Sequence, residues 1–270
     1  MNDRLDEMQP AKSQVDSGPL IRFRFGIRSI LWSIAIIGMT ISLFLPAMRS
    51  APEAARRAQC VNNMKQIALA LHHYQEMYGT LPPAYVAADD GTPLHSWRVL
   101  ILPFLDRNDI YDQYRFDEPW DGPNNRKLAE RNPMVYRCPT IERSRSSLWR
   151  NSADQNASTH YLVLTGDQTP FPGPRATKIE DIGDGTSNTI LVVEVDRENV
   201  VPWMAPRDID PASFIRILSE ENKDRTQHPG GMNITFADGS VKFIKASVNR
   251  NTLEALMTVN GSEKIAADAY

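Results

Sequence analysis

The chain has 270 residues and a formal net charge of −3 at pH 7, the size of one large or two small domains. Hydrophobic residues make up 41% and charged residues 23%, enough to bury a core, which excludes a wholly disordered chain. A pI near 6.0 leaves no electrostatic footprint for nucleic acid, and two cysteines exclude a cysteine-rich zinc site or a multi-disulfide framework while permitting one bridge.

Residues 1–28 form a short polar segment ending in Arg22, Arg24 and Arg28. From Ser29 to Met48 the chain runs twenty positions without a charge, which as a helix is roughly 30 Å, the thickness of a bilayer core. The mean hydropathy of −0.40 averages over this segment and hides it. No small-x-small cleavage site follows, so the segment reads as one uncleaved transmembrane anchor. Lys12, Arg22, Arg24 and Arg28 before it balance Arg49, Arg56, Arg57 and Lys65 after it, so the positive-inside count gives no orientation. A bridge between the cysteines, which would persist only outside the cytosol, favours an external C-terminal part.

Ser50-Ala51-Pro52-Glu53 has the spacing of a capping box. Behind it, Cys60, Met64, Ile67, Leu71, Tyr74 and Tyr78 form a stripe of helical period, stopped by Gly79 and Pro82-Pro83. Residues 50–79 therefore read as an amphipathic helix laid on a folded domain, with Arg56, Asn63, Gln66 and His73 on the opposite face. Pro46 and Pro52 are expected to kink or interrupt the helix near the bilayer surface. Cys60, on the buried stripe, suits a structural bridge to Cys138, which would tie the helix to the domain body.

Residues 80–270 carry shorter elements. Trp97 to Leu105 is an apolar run broken by Pro103, and Asn108–Tyr114 and Asn124–Arg131 read as short surface helices. Tyr161–Leu164 and Thr189–Val195 read as strands, with a tight turn at Gly183-Asp184-Gly185 between them. Ile234 to Ala237, then Asp238-Gly239, then Ser240 to Phe243 reads as a two-residue hairpin. Its register predicts Phe236 facing Val241 and Ile234 facing Phe243 on the core side, with Thr235 and Lys242 paired on the wet side. The sum is an α+β fold, one long helix packed on an antiparallel β-sheet head.

Several blocks resemble a known family. They are Ala35-Ile36-Ile37-Gly38, Leu45-Pro46-Ala47, Glu53 to Ile67, Ser96 to Leu100, Asp117 to Asp121 and Arg137-Cys138-Pro139. Asp184 to Thr189 and His228-Pro229-Gly230-Gly231 through Asp238-Gly239 complete the set. Together, over residues 25–245, the chain resembles the planctomycete prepilin-like H-X9-DG proteins, type IV pilin-like and mostly of unknown function. The resemblance implies a pilin-like architecture, with an N-terminal helix half in the inner membrane, a cytoplasmic N-terminus and a periplasmic head. The chain departs from the family at the peptidase site: Arg24 stands at the prepilin Gly and Ser29 at the Glu, with Phe25 matching the Phe. Cleavage, methylation and filament assembly are thereby left open.

The catalytic motifs for hydrolases, zinc proteases and nucleotide binding are missing, and no cofactor, metal or catalytic residue is expected. His228 and Asp238 should sit near opposite ends of a strand, roughly 20 Å apart, with His228 ordering the entry loop and Asp238-Gly239 making the turn. His72 and His73 lack clamp spacing. Asp181, Asp184, Glu194 and Asp196 could hold calcium, though turn carboxylates are common. The leading functional expectation is a non-enzymatic envelope protein that binds other envelope proteins or pilin-like subunits. The alternative is an anchored polysaccharide- or solute-binding module using exposed Trp97, Trp120, Trp149 and Trp203. A metal-dependent hydrolase using His95, His160 or His228 ranks last.

Overall fold

The computed structural model describes residues 26–140, 157–223, 226 and 228–261, and of residues 29, 41–52 and 220 the backbone alone. The chain divides into two compact units, Met1–Ser50 and Ala51–Tyr270. Helix α1 (Ile27–Tyr78) begins in the first unit and continues in the second. It is assigned without a break at Pro46 or Pro52, contrary to the expected interruption, and so it has no N-terminus at Ser50 for a capping box to close.

In the first unit, Ile30, Leu31, Trp32, Ile34, Ile36, Ile37 and Met39 are all exposed, so apolar side chains project on every side of this stretch. Among the described residues, no helix is long and apolar enough to cross a membrane. Of the expected span 29–48, Ser29 and residues 41–48 lie outside the described side chains.

In the second unit the stripe of α1 is buried at Cys60, Met64, Ile67 and Leu71, with Tyr74 partly buried, while Tyr78 stays exposed. Asn63, expected on the wet face, is buried because its side-chain amide donates to the Arg137 carbonyl at 2.9 Å. After Gly79 (φ +76°), strands β1 (Tyr85–Ala87) and β2 (Pro93–Ser96) pair as an antiparallel ribbon. Ser96 caps α2 (Trp97–Leu100), accepting from the Arg98 N–H, and a 3-10 turn, Leu102–Leu105, accommodates Pro103. Next come α3 (Asn108–Tyr111) and 3-10 turns at Asn125–Arg131 and Met134–Tyr136. The two expected surface helices thus exist as shorter or tighter turns.

Strand β3 (Ser158–Thr159) pairs with a later strand, and β4 (Tyr161–Val163) and β5 (Ile190–Glu194) pair antiparallel. Strand β6 (Val201–Pro202) is the partner of β3. Asp210 caps α4 (Pro211–Ile217), accepting from the Ser213 N–H, with Pro211 in the first turn. The hairpin β7 (Gly231–Phe236) and β8 (Val241–Lys245) and the short helix α5 (Arg250–Ala255) follow. The main sheet has the order β4-β5-β7-β8, all antiparallel, so the fold is α+β.

The sheet is covered on both faces. One apolar cluster joins Cys60, Met64, Ile67 and Leu71 of α1 to Trp97, Tyr136, Val163, Val192 and Trp203. The other joins Leu162, Ile190, Val193, Ile234 and Phe236 to Phe214 of α4 and Leu253 of α5. Every residue of β5 and β7 is consequently buried.

The hairpin register differs from the expected one by a residue. Thr235 faces Val241, Ile234 faces Lys242 and Asn233 faces Phe243. The Phe236 carbonyl accepts from Gly239 N–H, and the Phe236 N–H donates to the Ser240 carbonyl, both at 2.9 Å. With Gly239 at φ +82° this is a three-residue loop closed by a glycine bulge, which adds the residue that shifts the pairing. Thr235 is therefore buried beneath the α1 side of the sheet and not on a wet face.

Candidate functional site

Where the N-terminal half of the α1 stripe crosses the sheet, four segments bring polar groups into one buried cluster. Helix α1 supplies Glu53, Arg56 and Cys60; the segment after Met134–Tyr136 supplies Cys138; the end of β5 supplies Glu194; and the approach to β7 supplies His228. Cys60 and Cys138 form a disulfide, their Cα atoms 5.6 Å apart and both side chains buried. This is the bridge expected from the sequence, and it joins α1 to the head.

Glu194 is 0% and His228 1% exposed. His228 Nδ1 lies 3.1 Å from Glu53 Oε1, and His228 Nε2 lies 3.6 Å from Glu194 Oε1. The second Glu194 oxygen accepts from both the backbone N–H and the side-chain amide of Asn233, each at 2.9 Å. Glu53 is half-buried and also holds the Arg56 guanidinium at 2.7 Å. The imidazole is thus set between two carboxylates, one deep and one reaching toward solvent.

Burial is the largest influence on His228 and pulls its pKa down. Hydrogen bonding and charge from Glu194, then from Glu53, outweigh it and raise the pKa above 6.5. For Glu53 the largest influence is again burial, which raises its pKa. Hydrogen bonds from Arg56 and His228, with their charges, reverse this and hold it below 4.5.

His228 therefore does more than order an entry loop: it ties β7 to β5 and to α1 across 175 residues of sequence. Asp238, at the far end of β7, accepts from the Ser240 N–H at 2.8 Å and helps form the turn with Gly239, so no shared His228–Asp238 site exists. The proposed acidic calcium group is also divided. Asp181 and Asp184 precede β5, where Asp184 accepts from Thr258 Oγ1 and the Gly261 N–H, whereas Glu194 closes the strand. Asp196 is engaged by Asn199.

Of the other histidines singled out by the sequence, His95, His160 and His73 each meet a protein group. His95 is buried between the Tyr114 hydroxyl (2.9 Å) and the Phe116 carbonyl (3.2 Å), and burial holds its pKa down. His160 Nδ1 accepts from the Cys138 N–H at 3.0 Å, behind the disulfide. His73 meets Glu76 on the α1 surface. Trp97 and Trp203 are fully buried, so they cannot be stacking platforms; Trp120 is half-buried, and Trp149 lies outside the described residues. The sequence marked Glu53 only as part of a capping box that the continuous helix does not form, and not as a partner of His228, because no local pattern links positions so far apart.

The fold and this cluster define a class: an α+β head stapled to a long N-terminal helix by a disulfide and a carboxylate–imidazole–carboxylate relay that runs from the core toward the surface. A family model described as a protein of unknown function (DUF1559; SBP_bac_10) matches residues 49–217, and the chain belongs to this family. The matched stretch contains Glu53, both cysteines and Glu194, while His228 and Asp238 lie beyond it. No curated protein and no solved structure matches the chain.

Proposed function

We propose that the chain is a single-pass, membrane-anchored protein of the cell envelope, its head outside the cytosol, acting by binding other envelope proteins or pilin-like subunits and not by catalysis. The observation that carries this reading is the buried Cys60–Cys138 disulfide, since such bonds persist in oxidising compartments and not in the cytosol. A second feature supports the anchor. Apolar side chains project from all sides of residues 30–39, a pattern suited to lipid or to a bundle interior but not to water. A long N-terminal helix whose later part packs on an antiparallel sheet is also the arrangement that the pilin-like resemblance implies. Among the described tryptophan candidates, Trp97 and Trp203 are buried and Trp120 is half-buried, which weighs against a solute-binding module that stacks its ligand on them.

The experiment is intact mass of the chain extracted from its native membrane without reductant, with protease accessibility on intact cells stripped of their outer layer. A full-chain mass less two hydrogens, with a protease-sensitive head, supports an exported head on an uncleaved anchor. Two free thiols with a protected head overturn it. Loss of the first 24 or so residues shows a processed subunit and overturns the uncleaved anchor.

A further inference from the structure

We propose that Cys60, Cys138, Glu194 and His228 form a zinc site whenever the two cysteines are reduced, so that the disulfide and the bound metal are alternative ties between α1 and the sheet. One ligand atom from each of these four residues lies within 4.8 Å of all the others, and all four residues are buried. Tetrahedral zinc, with bonds of about 2.3 Å to sulfur and about 2.0–2.1 Å to nitrogen or oxygen, holds its ligand atoms roughly 3.3–3.8 Å apart. The His228 Nε2 to Glu194 Oε1 separation of 3.6 Å already falls there. Two thiolates, an imidazole and a carboxylate are a zinc donor set and a poor one for magnesium or calcium.

A second observation points the same way. His228 Nε2 and Glu194 Oε1 are both buried and face each other at 3.6 Å, beyond hydrogen-bond distance, with no closer polar partner among the described residues. Buried polar atoms left in that state are costly, and a cation placed between them and the sulfurs would satisfy both.

The surroundings are those of ligands held for a metal. His228 gives its other nitrogen to the Glu53 carboxylate, and Glu194 gives its other oxygen to two donors of Asn233. Outer partners of this kind fix the ring and the carboxylate and aim the remaining atoms inward. A plain buried ion pair beside a disulfide explains the attraction of the two groups. It does not explain why the two inner atoms stop at 3.6 Å, outside hydrogen-bond distance and within the span of two ligands on one tetrahedral zinc.

The exchange balances. A dithiol reductant supplies two electrons to the Cys60–Cys138 bond and leaves as its own disulfide. The two thiols then lose their protons to solvent as zinc enters. In reverse, a disulfide oxidant takes the two electrons, the Cys60–Cys138 bond re-forms, and zinc departs. In either state one strong link joins the helix to the head. The site does not depend on the compartment in which the head resides, so its test and that of the proposed function fail separately.

The test uses the full-length chain in detergent, stripped of metal, reduced with a dithiol and desalted without oxygen, with cobalt as the probe. The expected result is uptake of one equivalent, with thiolate-to-cobalt charge-transfer bands and intense tetrahedral ligand-field bands that zinc abolishes. His228→Ala and Glu194→Gln should weaken binding at least tenfold, and Glu53→Gln about 10–100-fold through the outer shell. Absence of thiolate bands, equal uptake by the oxidised chain, or affinity unchanged in His228→Ala overturns the proposal. Wild-type protein gives a readout independent of the variants: zinc should slow alkylation of both cysteines at least tenfold, and equal rates overturn it. If reduction unfolds the head, recovery of ellipticity on adding zinc supports the site, and failure of zinc to bind that chain overturns it.

Discussion

Arg98 and Asp208 meet as an ion pair with neither side chain reaching solvent, although 110 residues separate them. The same Asp208 oxygen accepts from Trp97 Nε1 at 3.1 Å and from the Val163 N–H at 3.0 Å, and Arg98 donates onward to the Tyr161 carbonyl and to Ser96 Oγ. One carboxylate thus fixes α2 against β4 and the segment leading to α4. Removing it leaves a buried guanidinium unpaired, so Asp208→Ala should cost about 3–5 kcal/mol in urea unfolding. The double variant Arg98→Met/Asp208→Leu should recover much of that loss, because it removes both charges together. A single-variant cost below about 1 kcal/mol would show that the pair is replaceable.

The disulfide closes a loop of 78 residues, for which the chain-entropy argument gives about 4.5 kcal/mol. Cys60→Ala/Cys138→Ala should lower the melting temperature of metal-free protein by many degrees, and dithiol treatment of the metal-free wild type should do the same. An unchanged melting temperature after verified reduction would mean that packing of Met64, Ile67 and Leu71 holds α1 without the bridge.

The carboxylate–imidazole relay gives stability a pH dependence whose sign follows from the directions in which the two groups are shifted. His228 has a raised pKa, so its contribution is complete below its ordinary value of 6.5 and fades as pH climbs through the elevated one. Glu53 has a lowered pKa, so its contribution is complete above 4.5 and fades as pH falls through the depressed value. The groups facing His228 are Glu194 from β5, Glu53 from α1 and, through Glu53, Arg56. The stability advantage of wild type over His228→Gln should therefore be largest between pH 4.5 and 6.5 and narrow toward pH 9. Thermal melts of the two proteins across that range test it; an advantage that grows with pH would reverse the assignment.

Local periodicity made much of this fold legible. The stripe from Cys60 to Leu71, strands β4 and β5 and the Asp238-Gly239 turn each carry a pattern within a dozen residues, and each is present. What was illegible depends on the far side of an element. Thr235 alternates as a wet residue should, but α1 covers the second face of the sheet and buries it. Trp97 and Trp203 carry no local mark of being interior, and they are buried because distant residues, Tyr136 against both and Phe171 against Trp97, pack on them. The relay is the extreme case: Glu53, Glu194 and His228 come from a helix, a strand end and a loop, and nothing near each predicts the others. Glu194 looked like part of a turn-side acidic group because its distance from Asp184 along the chain is short, whereas β5 places them at opposite ends.

Two glycines at the ends of the hairpin should respond differently to the same substitution. At Gly239 the demand is conformational: φ is +82°, and an added Cβ meets nothing closer than His72 Nε2 at an ordinary 3.5 Å. Gly239→Ala should thus cost about 1–2 kcal/mol from the left-handed backbone, and Gly239→Asn less, because Asn tolerates that region better. At Gly231 the demand is spatial: an added Cβ would collide with the Ile244 carbonyl oxygen and stand 2.8 Å from the Phe243 ring. That oxygen is backbone of the paired strand and cannot rotate away, so strand separation is the sole relief, and Asn should be worse than Ala. Gly231→Ala should cost about 2–3 kcal/mol, the scale of an overpacked core, and should also disturb the neighbouring His228 loop. Urea midpoints of the four variants separate the two causes: Asn ranks above Ala at 239 and below it at 231. The same ranking at both positions would mean that the β7–β8 pairing relaxes more freely than its buried environment implies.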